Sequence, residues 1–534
     1  MKVKLSMATL AICMLALAST IFAESKQTAG AEPGWMKDKR PVTFSWYVNF
    51  SWYPNKWGED LTSQYVTQKT GVNVNFIVPS GNETEKLNIM IASDTLPDFI
   101  TLGWGEEAVR KLIDGGLVYS LSDLADKYDP YFYKVASPGR LGWYTEKDGK
   151  VYCYPNASYS PEDYKKYPLS AGQTFLVRKD MYEAIGKPDM RTPEGFLKAL
   201  KLAKEKFPQV NGQSLIPFGL NEFGDTGNSS LQDYLANFIG FERERGSKYF
   251  DPKIGPDDPE YVRWIKTLRK ANEQGLLAKD IFIDKRVQME EKIAQGRYFC
   301  MLFPRTDLVN QQLSLYSADK NSVYIAVDGF ANSKLGAPKL EGPSIAGWTV
   351  TLVSKKCKDP DRAIKFISYW LSEEGQRDFA MGVPGTMYKM VDGKETWLPE
   401  VNACNLNDPT TFSHKYGADN NYWMLMDSPM FVSRWEAPLR GPLKQLDDWT
   451  KGKVVSYAIY DNINPLGDSP EGLALSKIQA EWGRTLPKLL LAKTDEEFDR
   501  IWSEYQTKKI KLGYDKVQAY QTLRVKANKA KLGL

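Results

Sequence analysis

Residues 41–102 read PVTFSWYVNFSWYPNKWGEDLTSQYVTQKTGVNVNFIVPSGNETEKLNIMIASDTLPDFITL, and this stretch decides the fold class. The segment 41–48 reads as a strand and 58–70 as a helix that stops before Gly71. The segment 72–78 alternates as a second strand, 86–93 reads as a helix, and 96–102 forms a third strand after Pro97. Strand, helix, strand in this order predicts an α/β protein whose parallel sheet is covered by helices. In such sheets the loops beyond the carboxyl ends of the strands face the ligand crevice. Trp52, Tyr53 and Trp57 follow the first strand and Trp104 follows the third, so these four are candidates for ligand contact. The competing reading of each is core packing over the first helices.

Upstream, Lys2 and Lys4 precede a mainly apolar run over 5–22 that ends at Ala23. A positive start, a short apolar stretch and a small residue at the cut predict a signal peptide over 1–23, although Ile21 is larger than the residue usually preferred there. Read instead as a membrane anchor, the run is interrupted by Ser, Thr and Cys and is only ~18 residues long, the lower limit for a span. Cys13 lies inside the apolar run rather than at its end, so a soluble mature chain is expected, periplasmic or extracellular. The 534 residues exceed what one hydrophobic core supports, which predicts two domains. The formal net charge of +4 falls to +2 once the two leader lysines are removed, which excludes nucleic acid as a bulk electrostatic partner. Cys153, Cys300, Cys357 and Cys404 remain, too widely spaced for a metal motif and open to three pairings or to none.

Aromatic residues make up 13% of the chain, with 15 Trp. Flat rings with a polar edge suit sugars, whose faces are C–H-rich and whose rims carry hydroxyls. An exported, aromatic-rich chain could also be a glycan-cleaving lyase or glycosidase working through a carboxylate pair. The sequence offers one histidine, His414, and no local motif for a nucleophile, a metal or an acid–base couple. No cofactor and no metal are expected.

Farther along, 156–170 is irregular and rich in Tyr, Pro and Ser, which predicts a crossover between domains. Thr192, Pro193 and Glu194 signal a helix start that runs through Lys206. Helices are expected at 231–238, 259–274, 287–294, 361–371 and 373–381 and over most of the chain from 471 to the end, with strands at 298–303 and 347–353.

Five ordered blocks carry a resemblance. They are TGVNVNF (70–76) with KLNIMIASDTLPD (86–98); LVRKDMYEAIGK (176–187); EQGLLAKDIF (273–282); GWTVT (347–351) followed by DRAIKFISYWL, SEEGQR (372–377) and MGVPGTMY (381–388); and DEEFDRIWSEY with Gly513. In this order they resemble family 1 extracellular solute-binding proteins of ABC importers, in the LplA-like and alginate-oligosaccharide-binding branch. The resemblance implies a two-lobe periplasmic-binding-protein fold with discontinuous lobes, hinge strands and an interlobe ligand cleft that closes on its ligand. It places 24–155 with about 325–395 in one lobe and about 156–324 with 396–534 in the other. It implies a monomeric receptor, not an enzyme, that captures an oligosaccharide and hands it to the permease subunits of an importer. A receptor for peptides would share the fold, and fold does not fix ligand. One departure concerns calcium. Many relatives carry an acidic, glycine-containing loop where this chain has PQVNGQSLIP (208–217), and without its carboxylates no calcium is expected there.

The resemblance adds candidates. Tyr159 in the crossover tract, Trp423 in NNYWM and Trp435 in SRWE are aromatics in polar, loop-like surroundings, expected on the second lobe. Trp348 matches a family strand near the hinge and is as readily a packing residue. Arg305 and Arg434 offer forked donors for hydroxyls or a carboxylate, against the alternative of a salt bridge.

Overall fold

The computed structural model describes residues 32–534 except 54, 81, 82, 168, 437, 438 and 440. The signal peptide expected over 1–23 lies outside the described residues. The chain divides into two compact units. One runs to Asp163 and resumes over Ile345–Glu436; the other comprises Tyr164–Ser344 and the chain from Ala437 to Leu534.

The first unit is built on a five-stranded sheet. Val42–Val48 pairs in parallel with Val72–Ile77 on one side and Phe99–Gly103 on the other. The order then changes sense, because Thr349–Val353 returns from far along the chain antiparallel to Phe99–Gly103, and Cys153–Pro155 pairs with its outer edge. The expected strand–helix–strand start is therefore present, and the sheet it opens is mixed. Asp60 caps the Leu61–Thr70 helix by accepting from Ser63 N–H at 2.8 Å. Gly71 ends the helix at φ +74°, where a side chain would meet the Lys39 carbonyl. Trp46 is fully buried, stacks on Phe99 at 4.6 Å and donates from Nε1 to Thr101 Oγ1 at 2.8 Å. Trp370 and Phe379, from the Pro360–Leu371 and Glu373–Met381 helices, stack at 3.9 Å in the same core.

The second unit has a four-stranded sheet in the order Tyr324–Ala326, Gln173–Arg178, Tyr298–Pro304, Ile216–Gly219. Thr192 caps the Pro193–Lys206 helix as its sequence signals. Phe196, Phe218, Trp264 and Phe330 form its aromatic core, with Trp264 Nε1 donating to the Ala331 carbonyl at 2.8 Å. The Pro470–Leu491, Asp495–Lys511 and Tyr514–Lys531 helices complete the unit.

Three boundaries differ from the sequence reading, the first in that residues 156–163 belong with the first unit. Residues 325–344 belong with the second unit, because Tyr324–Ala326 is an edge strand of its sheet. Residues 396–436 belong with the first, where Gln376 donates to the Leu425 carbonyl and accepts from Asp427 N–H. Cys153, Cys300, Cys357 and Cys404 are unpaired. Among the described residues no helix is long and apolar enough to cross a membrane, and no cluster of three metal-ligating side chains occurs. The 208–217 loop is a small hairpin, Gln209–Val210 against Gln213–Ser214, turned by Asn211 and Gly212 at φ +49° and +75°.

Candidate functional site

The first strand ends in a tight turn in which Asn49 N–H donates to the Thr101 carbonyl and Tyr53 N–H to the Phe50 carbonyl. This turn projects Trp52, which is 54% exposed. Trp348, 44% exposed, lies nearly parallel to it, with ring centroids 6.0 Å apart and planes 11° apart. Beneath the pair lies half-buried Trp423, 5.4 Å from Trp52 and 5.1 Å from Trp348. Phe50 sits between 5.5 and 5.8 Å from all three indoles, and buried Tyr53 meets Trp423 edge-on at 5.7 Å. The result is a five-ring tile whose outer face is two large, amphipathic surfaces. Isolated exposed apolar residues are ordinary; two near-parallel, exposed tryptophans on a packed support are not.

The tile is held from below by Asn156, which is fully buried. Its Oδ1 accepts from Thr349 N–H at 2.7 Å and from Trp348 N–H at 3.3 Å, while its Nδ2 donates to the Trp423 carbonyl at 2.5 Å. One side chain thus fixes the backbone of two indoles from distant segments. Gly347, at φ +75°, permits this closeness, since a Cβ there would lie 2.0 Å from the Asn156 carbonyl oxygen. The Trp348 carbonyl in turn accepts from Trp104 N–H at 3.2 Å. Glu106 accepts from Asn49 Nδ2 at 2.6 Å and from Gly103 N–H at 2.7 Å. A fixed carboxylate therefore sits beside the same strand ends.

Of the expected site residues, Trp52, Trp348 and Trp423 come together in the tile, with Tyr53 as a buried support. Trp57 is core: its Nε1 donates to Thr67 Oγ1 at 2.7 Å, and its ring packs on Phe76, Phe366 and Phe379. Trp104 is half-buried and contributes its backbone. Tyr159, Trp423 and Trp435, expected on the second lobe, belong to the first unit. Burial pushes the Tyr159 phenol up to about 12. Trp435 is 9% exposed and packed into the first unit's core. Arg434 is exposed and paired with Glu373. Arg305 holds the second unit together, donating to the Ala171 carbonyl at 2.7 Å and pairing with Asp447 at 2.7 Å. Phe50 and Asn156 were not among the expected residues. Phe50 adjoins Trp52 in NFSWY, a visible signal, whereas nothing around Asn156 in sequence announces its two long-range partners.

Comparison with known proteins adds the family. The profile of bacterial extracellular solute-binding proteins matches residues 62–402, more than half of the chain. The fructooligosaccharide ABC transporter substrate-binding protein FusA of Streptococcus pneumoniae is 27% identical over 299 residues, covering 54% of this chain and 52% of that one. The chain spans about half the length of the curated relatives it matches. The crystal structure of the alginate-binding protein AlgQ2 without calcium ion matches with a TM-score of 0.62 at 18% identity, covering 93% of this chain and 100% of that one. The structure of S. pneumoniae FusA in complex with kestose matches with a TM-score of 0.63 at 17% identity, over 92% and 100%. These likenesses show the same two-unit α/β fold of periplasmic binding proteins. Together with the profile match they make this chain a member of the bacterial extracellular solute-binding protein family.

Proposed function

We propose that the protein is an exported receptor that binds an oligosaccharide and delivers it to the permease subunits of an ABC importer, acting as a monomer and without turning its ligand over. The observation that carries this reading is the exposed, near-parallel pair Trp52 and Trp348 on its buried support. A sugar ring presents apolar C–H faces to such rings and hydroxyls to the polar rim. The names of the relatives support a saccharide, since they describe binding of fructooligosaccharide, alginate and kestose. Export by cleavage after Ala23 belongs to the same proposal and is checked by sequencing the N-terminus of the secreted protein.

A thermal-shift screen of the mature protein against neutral and uronic oligosaccharides, monosaccharides and peptides tests the reading, because a ligand of the native state must raise the melting temperature. A shift with one oligosaccharide class, and no release of reducing ends from polymeric glycans, is the expected result. A shift with peptides alone, or turnover of a glycan, overturns it.

A further inference from the structure

The first unit holds a cavity that neither its core nor the tile accounts for. It measures about 450 Å³, within the range of small-molecule sites, and its wall is polar, with Asn55 and Asp60 on one segment and Ser413, His414 and Asn420 on another. These two segments, far apart in sequence, are tied together. Asn55 Nδ2 donates to the Asn420 carbonyl at 3.3 Å, and Thr62 Oγ1 to the Tyr416 carbonyl at 2.7 Å. Gly417, at φ +69°, allows the approach, since a Cβ there would lie 1.9 Å from Asp60 Oδ1. Asn420 is itself held, its Oδ1 accepting from Ser413 Oγ and its Nδ2 donating to the Ser413 carbonyl, both at 2.8 Å.

The cavity lies at the tile's end of the sheet. The Leu61–Thr70 helix joins two parallel neighbours, Val42–Val48 and Val72–Ile77, so it runs back along them and starts at their carboxyl end. Asp60, its cap, therefore shares that end with Trp52, which follows the first strand. Three residues separate Trp52 from Asn55 and Asn420 from Trp423. A chain extends by at most about 3.6 Å per residue, so each wall starts within about 11 Å of an indole-bearing residue, a reach that a short oligosaccharide covers. Tyr53 bridges the two features, its ring edge-on to Trp423 at 5.7 Å and its hydroxyl donating to Asn421 Oδ1. The wall also keeps groups for a ligand. Among the described residues neither ring nitrogen of exposed His414 holds a hydrogen bond, Asn55 Oδ1 accepts none, and Asn420 retains its second amide N–H. Such a mixture of donors and acceptors suits hydroxyls, which do both.

We propose that this cavity is a second saccharide subsite, in which Asn55, His414 and Asn420 hydrogen-bond the hydroxyls of a sugar unit linked to the one lying on Trp52 and Trp348. It rests on the oligosaccharide reading above and adds selection by length, because a monosaccharide fills one subsite and a longer chain fills both.

Isothermal titration of the mature, untagged protein tests it, with ladders of one to four units from the maltose, xylose, mannose, fructan and galacturonate series, in wild type, His414→Ala, Asn55→Ala and Trp348→Ala. His414 is the one histidine of the chain, so its imidazole resonance in isotope-labelled protein reports on the cavity alone. In one series affinity should climb with length, and the resonance should move with the longer members and stay still with the monosaccharide. Loss of one hydrogen bond should weaken the longer members about 3- to 10-fold in His414→Ala and in Asn55→Ala, flattening the gain with length. His414 is exposed, so its removal spares the fold and keeps the test alive where Asn55→Ala does not fold. An unmoved resonance and an unchanged ladder in the cavity variants, with weakened binding in Trp348→Ala, overturn the subsite and leave the receptor intact. Binding of no saccharide by any form overturns both readings.

Discussion

Replacing Trp348 by alanine should weaken ligand binding much more than it weakens the fold. A tryptophan offers up to about 250 Å², so the 44% exposure of Trp348 leaves roughly 110 Å² open to solvent. A sugar ring laid on the open face covers about half of that, and ~55 Å² at ~25 cal/mol per Å² is ~1.4 kcal/mol, about tenfold in Kd. The fold loses contacts with Trp423 and Phe50 only along the buried edge, so stability should drop by about 1–2 kcal/mol. Fully buried Trp46 makes the contrast, since Trp46→Ala should cost about 3–5 kcal/mol. Titration calorimetry with the saccharide found by screening, beside urea denaturation, separates the two effects. Because Trp52 and Trp348 stack on one another, the double variant should show a coupling energy rather than a sum. A Kd within twofold of wild type in both Trp348→Ala and Trp52→Ala would refute the tile as the binding surface.

Asn156→Ala removes the bracket under both indoles and strands buried backbone groups, so a loss of about 2–4 kcal/mol in stability and weaker binding are expected together; unchanged affinity in a folded variant argues against the positioning role. Arg305→Ala should cost about 1–3 kcal/mol of stability and leave the Kd alone; a tenfold weaker Kd would put Arg305 among the ligand contacts. Millimolar calcium in place of a chelator should not move the melting temperature, since 208–217 carries no carboxylate; a shift of several degrees contradicts this. Burial lowers Lys509 to about 8, with its Nζ donating to the Gly255 carbonyl. The unfolded chain therefore binds more protons between about pH 8 and 10.5, and stability should rise with pH across that window by up to the order of 3 kcal/mol. Chemical denaturation of wild type against Lys509→Met should show the difference changing there; a flat difference refutes the assignment.

The α/β opening was readable because its signals are local: a capped helix between two alternating strands, closed by Gly71. The loop aromatics were readable as a group but not one by one. Trp52 and Trp57 are five residues apart in the same polar loop, and only the helices Pro360–Leu371 and Glu373–Met381, packed around Trp57, decide that one is open and the other core. The unit boundaries at 344 and 436 lie beside Gly- and Pro-containing tracts, GAPKLEGPS (336–344) and APLRGP (437–442), but similar tracts occur within each unit, so composition alone does not place them.

The strand order of the first sheet also bears on how the chain leaves the cell. Thr349–Val353 is threaded between Phe99–Gly103 and Cys153–Pro155, and the Thr101–Thr351 hydrogen bond joins residues 250 apart. The amino-terminal strands therefore cannot seal their sheet until well over half of the polypeptide has been made. Long-range pairing of this kind folds slowly. Under the export proposed above, a translocation machine that accepts only unfolded chains would gain time from the topology itself, because the first unit becomes a compact body only once the strand that completes it is present.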